Sequence, residues 1–334
     1  MRAMVIDRYG PAEQLRLAED IPTPSVADNQ VLVRVRAASV NPLDWRVRAG
    51  ELRMFSGSRF PLVLGCDIAG DVVRCGSKAT RFREGDAVYG FMDHNARRAW
   101  SRYCRSGAYA EYASTREDTL ASKPAQLSYE EAAALPLAAL TAHQVFRDRV
   151  RLRPGQRILI IGASGGVGSL AVQLATARGA EVTGVCSTKH LEMLRALKVA
   201  HLIDYTKTDL HALSSRFDVI YDVAAKSSFS ELKHLLSPTG VFVSNMVSFS
   251  SMLGTLLAKI ATRMFPRRTH THALVQPSGD DLREISAMVE AGSLRPVVGA
   301  TFSLNDVARA HQLLEHGSTP GKLVLQIGAG SAQV

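Results

Sequence analysis

Residues 157–168 read Arg157-Ile158-Leu159-Ile160-Ile161-Gly162-Ala163-Ser164-Gly165-Gly166-Val167-Gly168. A continuous apolar run without polar alternation predicts a strand buried on both faces, as in a parallel sheet. A glycine-rich turn follows at once, and residues 167–178 continue with helical spacing. Strand, glycine turn and helix start, in that order, are the context that a dinucleotide-binding fingerprint requires. Gly165 lets backbone approach a pyrophosphate, and Gly168 lets the helix pack close to the strand. The free N–H groups and positive end of the helix attract phosphate. The pattern departs from GxGxxG where Ala163 stands for the first glycine. A tight strand–helix turn without a ligand is the plainer alternative.

Beyond this turn, strands alternate with helices. Residues 182–185, 202–204, 219–221 and 241–244 read as strands, and residues 191–197 and 282–291 as helices. This is the rhythm of a doubly wound α/β unit. The strand at 182–185 ends in Cys186-Ser187-Thr188-Lys189-His190, where an NAD-binding site would carry an acid for the ribose hydroxyls. Hydroxyls and a lysine suit a 2′-phosphate instead, because charge-assisted bonds to phosphate are strong. NADP(H) is therefore the expected cofactor. The alternative for Lys189 is a solvated residue at a helix start.

Before the turn the pattern is different. Ala3–Ile6 and residues 31–35 are short strands, the latter alternating apolar and charged in VLVRVR. Asn41-Pro42-Leu43-Asp44-Trp45 is a helix start with Asn at the N-cap and Pro next. More short strands at 68–74 and 87–90 make this an antiparallel, barrel-like region. Residues 92–106 read as a polar surface loop. Helices follow at 129–140 and 143–151. After residue 294, strands at 294–302 and 322–327 flank a helix at 304–316 and return to the first region. The expected division is 1–125, 126–295 and 296–334.

The chain has 334 residues, is 46% hydrophobic and 21% charged, and carries a formal charge of +9. That is a globular composition with room for two cores. Cys66, Cys75, Cys104 and Cys186 form no CxxC pair, which suits a reducing, cytoplasmic setting. The start of the chain lacks a secretory pattern. Basic residues at 147–157 lack interleaved aromatics, so nucleic-acid binding is not expected. The apolar segment at 249–265, followed by Pro266-Arg267-Arg268, is core or dimer contact, or else an element touching a membrane surface or greasy substrate.

The stretches VNPLDW (40–45), GCDIAGDV (65–72), GAYAEY (107–112), LTAHQ (140–144), GASGGVG (162–168) and GKLVLQI (321–327) stand in a familiar order. In them the chain resembles the zinc-free quinone oxidoreductase and enone reductase branch of the medium-chain dehydrogenase/reductase superfamily, over nearly its whole length. The region after Ser244 is similar to the reticulon-4-interacting-protein-like subgroup. The resemblance implies a GroES-like catalytic domain, a Rossmann domain and a homodimer. It implies that Ser164, Gly165, Gly166 and Val167 cradle the pyrophosphate. Ser187, Lys189 and Tyr205 would surround the 2′-phosphate, with Lys322 near the cofactor. Asn41 and Thr141 would face nicotinamide and substrate.

Zinc alcohol dehydrogenases of this superfamily have a Cys where Asn41 stands and a His-Glu pair in place of Cys66-Asp67. Catalytic zinc needs three protein ligands, and Asn41 is a poor one, so no metal is expected. Hydride transfer then relies on positioning, with a partly exposed Asn41 amide donating to the acceptor oxygen and Asp44 as a relay. The plainer alternative for Asp44 is service to the helix dipole alone. The expected activity is NADPH-dependent reduction of a small-molecule quinone or α,β-unsaturated carbonyl. The alternatives are an NADPH-binding sensor or scaffold without turnover, and a zinc alcohol dehydrogenase. Pocket residues Asn41, Phe55 and Phe91 fall in loops whose shape the sequence does not define.

Overall fold

The computed structural model describes residues 1–57, 59–92, 107–245, 269–317 and 319–328, without the side chain of Phe55. The expected loop at 92–106, Cys104 within it, and the apolar segment at 249–265 lie outside these residues, apart from the buried Met92. Among the described residues no helix is long and apolar enough to cross a membrane.

The chain divides into two compact units: Met1–Leu140 with the part from Pro277 onward, and Thr141–Gln276. Expected boundaries at 125 and 295 thus move to 140 and 276, for visible reasons. The helix Gly279–Glu290 belongs to the first unit. Tyr89 donates from its hydroxyl to the Leu282 carbonyl at 2.9 Å. Gln126 Nε2 donates to the Val289 carbonyl at 3.0 Å. Gly279 approaches the Leu120 carbonyl so closely that a Cβ would lie 2.2 Å from that oxygen.

Thr141–Gln276 holds a six-stranded parallel sheet. Its order is His201–Asp204, Glu181–Cys186, Arg157–Ile161, Phe217–Asp222, Leu236–Ser244, Thr269–His272. Numbered by occurrence this is 3-2-1-4-5-6, the doubly wound Rossmann order. The strand order reverses between Arg157–Ile161 and Phe217–Asp222, and ligands of such sheets bind at the carboxyl ends of those strands. Leu159, Ile161, Val185, Ile220 and Phe242 are buried in one apolar cluster, as their unbroken apolar runs require. The edge strand Thr269–His272 escaped the sequence reading because THTH is polar.

In the first unit, the strand Gln30–Val40 is the organiser. It pairs antiparallel with Asp67–Cys75, Tyr112–Arg116 and Lys322–Gln326. Two registers matter for function: Ser39 lies opposite Asp67, and Val40 opposite Leu323. A second, three-stranded sheet joins Arg16–Ala18, Ala3–Ile6 and Leu62–Val63. The expected single helix at 129–140 is two, Tyr129–Ala133 and Pro136–Gln144. Pro136 explains the break, since its ring cannot sit inside a continuing helix. The expected helix at 143–151 is a π-helical turn, Val145–Arg149.

Candidate active site

The glycine turn is built as its residue types demand. Gly162 has φ +79°, open to glycine at little cost, so Gly162 rather than the Ala163 position makes the tight bend. Both Gly162 and Ala163 donate their N–H to the Val185 carbonyl, at 3.2 and 3.0 Å. The helix Gly166–Ala177 starts with Gly165 at its N-cap, which offers no side chain to its first-turn N–H groups. A Cβ on Gly165 would meet only the Gly162 carbonyl oxygen, at 3.5 Å. Ser164, Gly165, Gly166 and Val167 are all half-buried. The Gly165 N–H is used on the Gly162 carbonyl at 3.1 Å, so the uncapped first-turn N–H groups from Gly166 onward, with open space over Gly165, are the donors that fit a pyrophosphate.

Across the switch point, Asp222 is fully buried at the end of its strand. Its Oδ2 accepts the Ser227 N–H at 2.7 Å, which ties down the loop where Ala225 takes φ +52°. Burial raises its pKa, opposed by backbone N–H groups of this loop. The sequence reading missed this residue.

At the carboxyl ends of the neighbouring strand pair, on the same edge of the sheet, Cys186 is in register with Asp204. The Tyr205 N–H donates to the Cys186 carbonyl at 3.1 Å, so Ser187 and Tyr205 follow neighbouring strand ends. Tyr205 is 58% exposed, Lys189 exposed and Ser187 half-buried. An acid is present after all, contributed by the next strand. Asp204 accepts from Thr188 Oγ1 at 2.5 Å and from the Thr206 N–H and hydroxyl at 3.0 and 2.7 Å. The Thr188 bond leads in lowering its pKa. Its carboxylate is thus turned onto the two threonines.

In the first unit the two registers converge on Asn41. Its amide Nδ2 donates to Asp67 Oδ2 at 2.9 Å, and its Oδ1 accepts from the Lys322 ammonium. Lys322 also donates to the Val40 carbonyl at 3.3 Å and lies 3.9 Å from Asp67 Oδ2. Ser39 Oγ donates to the same carboxylate oxygen at 2.7 Å, and the Leu137 N–H to the other at 2.9 Å. Burial raises the Asp67 pKa and lowers that of Lys322, while their mutual attraction opposes both shifts. Asn41 is only 1% exposed. The expected partly exposed amide is therefore corrected: the group is committed to Asp67 and Lys322.

Asp44 closes the same cluster. Its Oδ2 accepts the Asn41 N–H at 2.8 Å, capping the helix Pro42–Arg48, and the Tyr109 hydroxyl at 2.9 Å. Burial raises its pKa to about 7, with the Asn41 N–H working against that rise. Thr141 is buried in the helix Pro136–Gln144, and Phe91 is buried at the end of its strand. Tyr109 was visible only as part of GAYAEY, and nothing in its spacing marked it as a partner of Asp44.

Zinc does not fit these residues. Of the candidate donors, the Asn41 oxygen is taken by an ammonium, and Asp67 lies beside the same cation. The Cys66 thiol is buried, which pushes its pKa well up and disfavours the thiolate a metal needs. Lys322 supplies positive charge where a divalent ion would have to enter, so like charges would repel.

Comparison with known proteins agrees with this architecture. Residues 27–125 match the alcohol dehydrogenase GroES-like domain, and residues 197–325 a family described as zinc-binding dehydrogenase. The chain is 32% identical to a 2-methylene-furan-3-one reductase of Solanum lycopersicum over 97% of its own length and 79% of the relative's. The chain belongs to the medium-chain dehydrogenase/reductase superfamily. Within it, the chain is 33% identical to the mitochondrial NAD(P)H oxidoreductase RTN4IP1 of Homo sapiens, covering 98% of this chain and 89% of that one. The solved quinone oxidoreductase from Coxiella burnetii superposes with a TM-score of 0.85 at 32% identity, covering 98% and 99% of the two chains. This member of the superfamily is thus an oxidoreductase with quinone and enone reductases among its relatives.

Proposed function

We propose that the chain reduces quinones or α,β-unsaturated carbonyl compounds with NADPH and without zinc. The observation that carries this reading is the Lys322 ammonium, buried on Asn41 and Asp67 where a metal would need free donors. Names of relatives support it, among them an NADPH-dependent alkenal/one oxidoreductase of Arabidopsis thaliana. Bound NADPH supplies the hydride.

The protein's own residues do the rest by holding and by charge. Ser164 and the backbone N–H groups of Gly166 and Val167 would bind the pyrophosphate, with Gly165 leaving room for it because its own N–H is held by the Gly162 carbonyl. Ser187, Lys189 and Tyr205 hold the 2′-phosphate, while Asp204 is kept off it by Thr188 and Thr206. Thr141 faces the nicotinamide. Asp67 and Lys322 fix the Asn41 amide, and the ammonium gives the positive field that favours negative charge on the acceptor oxygen. Conjugated carbonyls and quinones delocalise that charge, so they need no Lewis acid. Asp44 holds the proton that completes the reduction. The same reading takes the protein as a cytoplasmic homodimer.

The test is loss of nicotinamide absorbance with metal-stripped protein and a panel of quinones and enones. NADPH consumption with any of them supports the reading. Tight NADPH binding without turnover would replace it with a sensor, and activity that requires added zinc would overturn it.

A further inference from the structure

Inside the first unit, Asp44 is the end of a hydrogen-bonded chain. The Tyr109 hydroxyl donates to Asp44 Oδ2 at 2.9 Å and lies 3.3 Å from His311 Nε2. All three residues are buried. On the far side of the imidazole, His311 Nδ1 is buried without a hydrogen-bond partner among the described residues, and so is Arg48 Nη1. Arg48 Nη2 pairs with Glu315 at 2.7 Å, and the Glu315 side chain is 31% exposed. His311 and Glu315 stand one turn apart on the helix Val307–His316, so the imidazole lies one turn from a solvent-facing carboxylate. The chain keeps a dedicated space for the phenol: a Cβ on Gly65 would lie 2.3 Å from the Tyr109 ring.

We propose that His311, Tyr109 and Asp44 form a proton relay that resupplies, from the Glu315 side, the proton consumed in each reduction. It rests on the reading of Asp44 as the proton donor given above. A proton adds to His311 Nδ1, the Nε2–H proton passes to the Tyr109 oxygen, and the Tyr109 O–H proton passes to the Asp44 carboxylate. The phenol ends neutral and the imidazole ends as its other tautomer, which tautomer exchange resets. No oxidant or reductant takes part. The unpartnered Nδ1 is the proton's point of entry, since it is the ring nitrogen left with a free lone pair on the side away from Tyr109.

The environment of each group suits its part. Burial, helped by the Arg48 cation, lowers the His311 pKa to about 3, so the ring passes a proton on instead of storing it. Burial raises Tyr109 well above its ordinary value, with Asp44, Cys66 and Asp67 adding to the rise, so it never ionises. Asp44 faces Asp67, Lys322, Tyr109, Cys66 and the Asn41 N–H, and burial leaves it able to hold a proton near neutrality.

The test uses Tyr109→Phe and His311→Gln, the latter keeping a donor toward Tyr109 but unable to exchange tautomers. Infrared spectroscopy of the unliganded protein follows hydrogen–deuterium exchange of the Asp44 carboxyl, identified by its loss in Asp44→Asn. Both variants are expected to slow that exchange, to lower kcat by about a hundredfold at constant NADPH affinity, and to enlarge the solvent isotope effect. Variants that melt like the parent yet keep its exchange rate, kcat and pH profile would overturn the relay. Should Tyr109→Phe fail to fold, His311→Gln decides alone. Should the parent protein reduce no acceptor, the reductase reading fails, and the exchange rates still decide the relay.

Discussion

Gly168 packs against Gly162 so tightly that a Cβ on Gly168 would lie 2.1 Å from the Gly162 carbonyl oxygen and 2.8 Å from the Ala163 Cα. Backbone cannot yield there as a flexible side chain could, so Gly168→Ala pushes the helix Gly166–Ala177 away from its strand. Overpacking of this kind costs about 1–3 kcal/mol. Gly165→Ala is the informative contrast, because its Cβ meets nothing closer than 3.5 Å. Gly168→Ala is expected to lower both Tm and NADPH affinity. Gly165→Ala is expected to leave Tm within a degree or so while weakening NADPH. Calorimetry on the two proteins checks the difference, and equal losses of stability would contradict it.

Lys322 and Asp67 are both buried, with 3.9 Å between Nζ and Oδ2. Removing one partner of a buried pair leaves an uncompensated charge, at a cost of about 3–5 kcal/mol. Lys322→Met is expected to fall in that range by urea denaturation. The double variant Lys322→Met/Asp67→Asn should recover part of the loss, because the stranded carboxylate is gone. Additive losses in the double variant would show that the pair is not coupled.

The first strand, its turn and the Rossmann unit were legible because their signal is local. Ile158–Ile161 and the glycines lie within a dozen residues, and the buried run has no polar alternation. Asn41 as N-cap and the helix beginning at Pro42 were legible for the same reason. The partners of Asn41 were not. Asp67 and Lys322 reach it through the pairing of three strands far apart in sequence, and register is set by tertiary packing rather than by any short pattern. Tyr109 and His311 are separated by most of the chain. Asp204 was overlooked because an acid was sought after the second strand, while the sheet delivers one from the third.

Asp44 gives a pH dependence with a defined sign. Its carboxyl rises from an ordinary 3.8 to about 7 on folding. The folded state therefore binds this proton more tightly, and the associated stability is present in acid and lost as pH climbs through the folded value. Asp44→Asn removes the effect while keeping an acceptor for the Asn41 N–H. The unfolding free energy of the parent, measured against that of the variant, should fall as pH rises from about 4 to about 7, at up to about 1.4 kcal/mol per unit, and level off above that. A difference that stays flat across this window would place the Asp44 titration elsewhere.

Cofactor choice turns on whether Lys189 meets a phosphate or only solvent. Lys189 is exposed, and Asp204, which accepts from the adjacent Thr188, is turned onto Thr188 and Thr206. A lysine that pairs with the 2′-phosphate contributes a charge-assisted bond of about 1.5–3 kcal/mol, or roughly 10- to 100-fold in affinity. Lys189→Ala should therefore weaken NADPH by that factor, leave NADH unchanged, and lose most of its effect at high salt. Thr188→Val frees the Asp204 carboxylate from its Thr188 donor and should shift preference further toward NADH, since a carboxylate repels phosphate and accepts from ribose hydroxyls. Dissociation constants for both cofactors at two salt concentrations check this. Equal weakening of NADPH and NADH by Lys189→Ala would assign the lysine to the pyrophosphate or to solvent and remove the basis for NADPH selectivity.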